Sequence, residues 1–176
     1  MKAAIGYAAT TCSYTDMYGT DLIVFFGANP ANDQPVMTKY LHEAKKLGTK
    51  IALVNPYDEP AMKQYWVPSS ADSALFGTDI TDYWFPVSQG SDIAFLYGVL
   101  KILFENDWLN HEFIERHTVD VEQVREATAK VSWDDILQQT GLTQAVIREF
   151  AELIRDAKNA VLVWSMGITQ HPWGAD

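Results

Sequence analysis

A strand–helix–strand pattern over residues 21–54 constrains the fold more than any other feature of the chain. An apolar run at residues 21–26 meets a glycine, and a second apolar run occupies residues 50–54. Runs that are apolar throughout are typical of strands buried on both faces of a parallel sheet. Between them, apolar residues recur at helical spacing over residues 36–47, and Gly48 supplies a stop. The pattern therefore predicts a βαβ unit with a right-handed crossover.

The rest of the chain adds strands and helices of the same kind. Strands are predicted at residues 83–87, with Pro86 placing that strand at an edge or at its own end, and at residues 160–164. Helices are predicted at residues 70–76, 93–106, 111–118 and 121–130, and from the N-caps Ser132 and Thr143. We predict an α/β fold of the Rossmann-like class, with a mainly parallel sheet flanked by helices. It forms one domain over residues 1–176, with residues 107–140 as a helical subdomain.

The end of the sequence and its overall charge narrow the class of protein. Because a parallel strand is normally followed by a helix that covers the sheet, a chain that stops after a strand and its loop is interpreted as truncated.

The net charge of −10 argues against nucleic acid as a partner, and an anionic ligand would depend on backbone N–H groups at a helix start. No apolar stretch is long enough to span a membrane, and the start does not resemble a signal peptide. The single cysteine, Cys12, fits a cytoplasmic protein.

Three loops carry the candidate chemistry, because each follows a predicted strand. They are Gly27-Ala28-Asn29-Pro30, Asn55-Pro56-Tyr57-Asp58 and Ser165 to Gln170. In open parallel sheets ligands bind outside the carboxyl ends of the strands, so we expect these loops along one edge. A glycine allows a ligand close to the backbone, and an asparagine offers donors and acceptors. The same residues are also ordinary turn formers, so both interpretations stay open.

Asp92 has two interpretations that the sequence does not separate. It follows Gly90-Ser91 and precedes an apolar helix. Its two carboxylate oxygens match the two neighbouring donors, N1 and N2, of guanine. It would equally serve as the N-cap of the helix. Among the other titratable groups, neither the four histidines nor Cys12 has the partners of a metal or acid–base site, so we predict no catalytic and no metal-ligating residue.

Taken in order, these segments resemble the molybdopterin oxidoreductase family, near its formate dehydrogenase alpha-subunit branch. The resemblance runs from Ile5-Gly6-Tyr7 to Gln170-His171. It is carried by Gly27-Ala28-Asn29-Pro30, Ala44 to Ile51, Asn55-Pro56, Gly90-Ser91-Asp92 and Trp164 to Gln170. Many relatives have Asp-Pro-Arg where this chain has Asn55-Pro56-Tyr57, and the stretch over residues 60–83 is longer here. Both departures put formate itself in doubt as the substrate.

The resemblance implies a cofactor and a set of contacts. Such enzymes bind molybdopterin guanine dinucleotide around molybdenum or tungsten, and many hold a 4Fe-4S cluster. Carried over, the cofactor contacts are Gly27, Ala28, Asn29, Asn55, Gly90, Asp92, Met166 and Gln170. The metal ligand and the iron–sulfur cysteines of the family lie upstream of the matched region. The resemblance therefore implies a fragment whose partner is the remainder of the polypeptide and which has no turnover alone.

Two other functions fit the residues. One is a standalone nucleotide-binding or interaction module without redox activity. The other is the middle domain of a thiamine enzyme, which also uses a Rossmann-like sheet but has no preference for guanine over adenine. A comparison of guanine and adenine nucleotides distinguishes the thiamine domain from the cofactor-binding domain.

Overall fold

The computed structural model describes residues 10–172, so the Ile5-Gly6-Tyr7 segment of the resemblance lies outside the described residues. The strands are β1 (Leu22–Phe26), β2 (Lys50–Val54), β3 (Gln64–Tyr65), β4 (Thr78–Asp79), β5 (Tyr83–Phe85) and β6 (Ala160–Trp164). The α-helices are α1 (Pro30–Asp33), α2 (Pro35–Lys46), α3 (Pro60–Lys63), α4 (Ala71–Phe76), α5 (Asp92–Glu105), α6 (His111–His117), α7 (Val121–Lys130), α8 (Trp133–Thr140), α9 (Gln144–Asp156) and α10 (Met166–Thr169). A short 3-10 helix, Tyr14–Met17, precedes β1.

The chain divides into two compact units. The first comprises the residues up to Pro86 and those from Lys158 onward, and the second comprises Val87–Ala157. The second unit is helical in its described secondary structure and contains the segment at residues 107–140. A single domain with a helical subdomain at those residues stays a prediction.

The first unit is built on a four-stranded sheet in the order β5-β2-β1-β6. Every neighbouring pair in this sheet is parallel. A hairpin of β3 and β4 forms a separate antiparallel pair. The α/β fold with a parallel sheet flanked by helices is therefore confirmed. β5 lies at an edge and ends directly before Pro86, as predicted, because proline has no N–H to donate to a neighbouring strand.

The core of the first unit explains why the sequence predicts the βαβ unit. All five residues of β1 are buried, which is the burial expected of a central parallel strand. On one face of the sheet, Phe25 packs in a cluster with Leu41 and Ala44 of α2. At the start of the sheet, one carboxylate oxygen of Asp21 accepts the backbone N–H groups of Lys158 and Asn159, each at 3.0 Å. This contact aligns the entrance of β6 with that of β1.

The second unit packs its helices around α5. Gly98 of α5 allows a close approach, because a Cβ there would lie 3.1 Å from methyl carbons of Ile136 and Ile147. Phe95 and Phe150 meet edge to face with their ring centroids 5.0 Å apart. Thr143 caps α9 by accepting the N–H of Val146, as the sequence predicts.

Several local predictions differ from the structure. Residues 30–33, predicted as loop, form the one-turn helix α1, and Gln34 joins α1 to α2. Residues 166–169, also predicted as loop, form α10. The long stretch after β2 contains α3 and the β3–β4 hairpin besides the predicted helix α4. These elements are too short to show a periodic apolar pattern. Within residues 10–172, no helix has the length and apolar character that crossing a bilayer requires.

Candidate functional site at the carboxyl edge of the sheet

The order of the strands in the sheet determines where a ligand site is expected. Because the four strands are parallel, their carboxyl ends all lie at one edge of the sheet. The chain moves outward from β1 to β2 and β5, and then returns to the other side of β1 with β6. The direction of strand order therefore reverses between β1 and β6. In open α/β sheets this reversal opens the crevice in which ligands bind.

Two glycines bring the loops after β1 and β6 into backbone contact. A Cβ on Gly27 would lie 2.9 Å from Cα of Gly167, and a Cβ on Gly167 would lie 2.7 Å from Cα and from the carbonyl oxygen of Gly27. Gly27 also has φ +54°, which disfavours residues with a side chain. Only glycine at both positions allows this approach, so the two loops flank the switch point at the closest distance that backbones permit.

Hydrogen bonds link the remaining loops along the same edge. The N–H of Gly27 donates to the carbonyl of Val54 at 3.0 Å, and the N–H of Asn55 donates to the carbonyl of Phe85 at 3.2 Å. The indole N–H of Trp84 donates to the carbonyl of Asn55 at 2.9 Å. The ends of β1, β2 and β5 are thus fixed to one another in register.

Asn29 is oriented by the helix that it begins. Its side-chain oxygen accepts the N–H of Asn32 at 3.3 Å and so caps α1. α1 is a single turn that starts with Pro30, which has no N–H. The helix start after β1 was expected to offer N–H groups to a diphosphate. Two of its N–H groups are not available to a ligand: Pro30 has none, and the N–H of Asn32 donates to Asn29.

The side chain of Asn55 forms a hydrogen bond within its own turn. Its side-chain amide donates to the carbonyl of Tyr57 at 2.8 Å, and the residue is only 9% exposed. The turn-forming interpretation of this residue therefore accounts for its side chain in the structure. Asp58 pairs with Lys63 of α3 at 2.5 Å. Both polar side chains of the second loop are used within the loop and its neighbour.

Met166 and Gln170 lie at the two ends of α10. The amide nitrogen of Gln170 contacts the sulfur of Met166 at 3.7 Å, and Met166 is 65% exposed. Both residues follow Trp164, the last residue of β6, so they lie at the carboxyl edge with Asn29. The structure thus brings the first and third predicted loops together.

Gly90 and Asp92 lie in the second unit. Gly90 has φ +80°, and Ser91 is the N-cap of α5. Asp92 is the first residue of the helix and is 7% exposed. Asp92 is therefore not the N-cap, although a carboxylate in the first turn still stabilises the positive end of the helix dipole.

A groove in the first unit connects the loops after β1 and β6. Its volume is about 810 Å³, within the range of small-molecule sites. Its apolar floor includes Phe25, Met37 and Val163, and its polar rim includes Asn29, Asp33, Gln34, Ser165 and Thr169. The sequence predictions did not include Asp33 and Gln34. The proline-bounded segment between Pro30 and Pro35 is the signal that could have placed them in a tight turn beside Asn29.

A second polar cluster in the first unit lies around His42, outside the residues that line the groove. His42 is 6% exposed; its Nδ1 lies 2.8 Å from the hydroxyl of Thr78, and its Nε2 lies 2.9 Å from that of Ser70. The Ser70 hydroxyl and Lys46 hold the pKa of Asp72 well below its usual value. In the described part of the chain, no group of three His, Cys, Asp or Glu residues is placed to hold a metal ion.

A parallel sheet with glycine loops and a groove at its switch point defines an open α/β domain with a crevice at the carboxyl ends of its strands. The family model for molybdopterin oxidoreductases matches residues 3–176. The chain therefore belongs to the molybdopterin oxidoreductase family.

Individual relatives agree with this assignment. The chain is 30% identical to protein YdeP of Escherichia coli, over 99% of its own length and 24% of that protein. It is 25% identical to formate dehydrogenase H of Escherichia coli, over 100% of its length and 22% of that protein. Acetylene hydratase from Pelobacter acetylenicus has a similar fold, with a TM-score of 0.65 and 20% identity over 88% of this chain and 20% of that one. The chain spans about a quarter or less of these proteins.

Proposed function

We propose that this chain is a Rossmann-like, cofactor-binding part of a molybdenum or tungsten oxidoreductase that resembles formate dehydrogenase. The carboxyl edge of the sheet in the first unit holds part of a molybdopterin guanine dinucleotide, through Gly27, Ala28, Asn29, Asn55, Met166 and Gln170. Gly90 and Asp92 of the second unit are separate candidate contacts, which we carry over from the resemblance. The metal ligand and a 4Fe-4S cluster belong to the remainder of a longer cytoplasmic polypeptide, which is the partner of this chain. Nucleic acid is not a partner, since the net charge is −10.

The observation that carries this proposal is the backbone contact of Gly27 with Gly167 at the switch point. Because these two loops meet with no side chain between them, Ala28, next to Gly27, and Met166, next to Gly167, line the same groove. A ligand in the groove would therefore contact both loops at once. The size of the groove, about 810 Å³, also fits a large part of a dinucleotide.

The side chains of the groove fit the uncharged parts of the cofactor better than its diphosphate. Among the described residues that line it, Asp33 is the only one charged at neutral pH, and none is Lys, Arg or His. A phosphate needs cations or free backbone N–H groups, so the diphosphate would depend on glycine backbone. The apolar floor and the amide and hydroxyl rim suit a flat heterocycle with polar edges.

When bound, the cofactor supplies the metal at which electron transfer with the substrate takes place. The residues of this chain have a positioning role in that chemistry. Asn29 would orient the cofactor by donating from its amide, while Met166 and the apolar floor would exclude water from one face of the heterocycle. Gly27 and Gly167 would keep the loops that carry these residues in contact with each other.

The isolated 176-residue chain is expected to have no turnover. It spans 22% of formate dehydrogenase H, and we assign the metal ligand and the cluster to the remainder of the polypeptide. The measurement is formate-dependent reduction of a redox dye by the purified chain, with the intact Escherichia coli enzyme as the positive control. Dye reduction above the rate of a heat-denatured sample would contradict the proposal that catalysis requires the rest of the polypeptide.

The second test concerns guanine recognition. Asp92→Asn is expected to weaken binding of GDP about tenfold or more while ADP binding stays unchanged, because an amide cannot accept both guanine donors. The substitution keeps the size of this buried side chain. The measurement is the shift in melting temperature on titration with each nucleotide.

Asp134→Asn is the matched control in the second unit, since Asp134 is an exposed carboxylate. Equal binding of GDP and ADP by the wild-type chain would overturn the proposal that this part of the enzyme recognises guanine. Loss of folding in Asp92→Asn, with no specific loss of GDP binding, would assign Asp92 a structural role.

A further inference from the structure

Two amide side chains at the rim of the groove have their donor ends directed away from the protein contacts that hold them. The oxygen of Asn29 accepts the N–H of Asn32 at 3.3 Å. The oxygen of Gln34 accepts the phenol hydroxyl of Tyr14 at 2.7 Å. The backbone N–H of Asn32 can only donate, so it fixes which end of the Asn29 amide is the NH₂ group, and in the structure the Gln34 amide likewise uses its oxygen. The rim therefore presents two NH₂ donors.

Between these amides in the sequence lies the carboxylate of Asp33, which has no partner among the residues that the structure describes. Asp33 lines the groove, and within residues 10–172 its side chain has neither a hydrogen bond nor an ion pair. It is also the only charged side chain among the described lining residues. An anionic acceptor in a groove without cations repels phosphate and attracts N–H donors. The groove rim thus combines one strong acceptor with two donors.

We propose that Asp33 binds the 2-amino-4-oxopyrimidine edge of a heterocycle, with Asn29 and Gln34 donating to its carbonyl oxygen. This edge presents a ring N–H and an adjacent NH₂ beside a carbonyl. The two N–H groups match the two oxygens of a carboxylate, and the carbonyl matches an amide donor. The inference rests on the proposed function, since it assigns a part of the cofactor to this groove.

The 2-amino-4-oxopyrimidine edge occurs in two heterocycles, guanine and pterin. A molybdopterin guanine dinucleotide contains one of each, and Asp92 of the second unit is our candidate for guanine. Inosine has the same ring as guanosine without the 2-amino group, and lumazine replaces the 2-amino group of pterin with an oxygen. These two pairs of uncharged compounds measure recognition of the edge without any contribution from phosphate.

The experiment measures dissociation constants by titration calorimetry for guanosine, inosine, pterin and lumazine with the 176-residue chain. We expect the wild-type chain to prefer guanosine over inosine, or pterin over lumazine, by about tenfold, because one charge-assisted hydrogen bond is lost without the amino group. The pair that shows the preference identifies the source of the edge. Asp33→Asn is expected to abolish that preference.

Two further variants make the result specific. Asp79→Asn is the control, because Asp79 is an exposed aspartate of the same unit outside the groove, and its removal changes the net charge equally. Gln34→Glu keeps the acceptor for the Tyr14 hydroxyl but removes the NH₂ donor. It is expected to weaken binding of the preferred compound several-fold without changing the fold measured by circular dichroism.

The inference is overturned if Asp33→Asn keeps the preference, if Asp79→Asn loses it as well, or if the folded wild-type chain shows no preference in either pair. Its failure is distinguishable from failure of the proposed function. Discrimination of GDP from ADP that depends on Asp92 would support the proposed function even if Asp33 proved irrelevant. Dependence on Asp33 with uncharged compounds would stand even if GDP and ADP bound equally.

Discussion

Gly27→Ala is expected to lower the free energy of unfolding by about 2–5 kcal/mol, the largest loss that we expect from one added methyl group. Two costs add at this position. The backbone has φ +54°, which costs a residue with a Cβ about 1–2 kcal/mol. The new Cβ would also lie 2.9 Å from the Cα of Gly167, and a backbone atom cannot turn aside as a side chain can. The loops after β1 and β6 must then separate.

Gly19→Ala is the matched control for this prediction. Gly19 has φ +75°, and nothing lies within 4 Å of a Cβ built there. It therefore carries the backbone cost without the contact, and a loss of only about 1–2 kcal/mol is expected. Chemical denaturation gives the free energy for both variants, and the difference measures the loop contact. Equal losses at the two glycines would show that the contact at the switch point contributes nothing to stability.

His42→Ala is expected to cost about 2–4 kcal/mol of stability. The ring is 6% exposed and has a hydroxyl partner on each nitrogen. Its removal leaves a cavity and deprives the buried hydroxyl of Thr78 of one partner. Ser70 precedes α4 and Thr78 belongs to β4, so the ring attaches the segment after β2 to α2. Hydrogen exchange should show the largest loss of protection in residues 64–79.

Lys39→Ala provides the control on the same helix, because Lys39 is exposed. A change within about 0.5 kcal/mol is expected there. Denaturation of both variants under the same conditions separates the buried network from a general effect of substitution on α2. A change at His42 as small as that at Lys39 would mean that water replaces the ring at no cost.

The strands of the four-stranded sheet could be predicted because the apolar runs that mark them are local features of the sequence. In β1 and β2 almost every residue is apolar and buried, so composition alone marks them as central strands of a parallel sheet. The shared edge of the loops follows from parallel pairing and needs no further information. The hairpin of β3 and β4 was missed because each strand has two residues, which is too short for alternation to be seen.

The sequence predicted where the side chains of the candidate site lie better than it predicted which groups they contact. Asn29 and Met166 lie at the same edge, as expected from their positions after β1 and β6. The amide of Asn55 is instead used by the carbonyl of Tyr57, which the sequence could not distinguish from a ligand contact. Asp33 was missed, because an aspartate two residues before a proline is typical of a turn, and only the structure shows that it lines the groove.

The order of residues along this chain determined its strands, its longer helices and the side of the sheet at which its loops emerge. Those properties depend on neighbours a few positions away, through burial period, capping and backbone preference. The tertiary structure alone decided that β6 returns beside β1, that Gly27 meets Gly167 and that His42 is buried. These contacts join residues far apart in the chain, and only packing of the whole sheet fixes the free energy of such contacts.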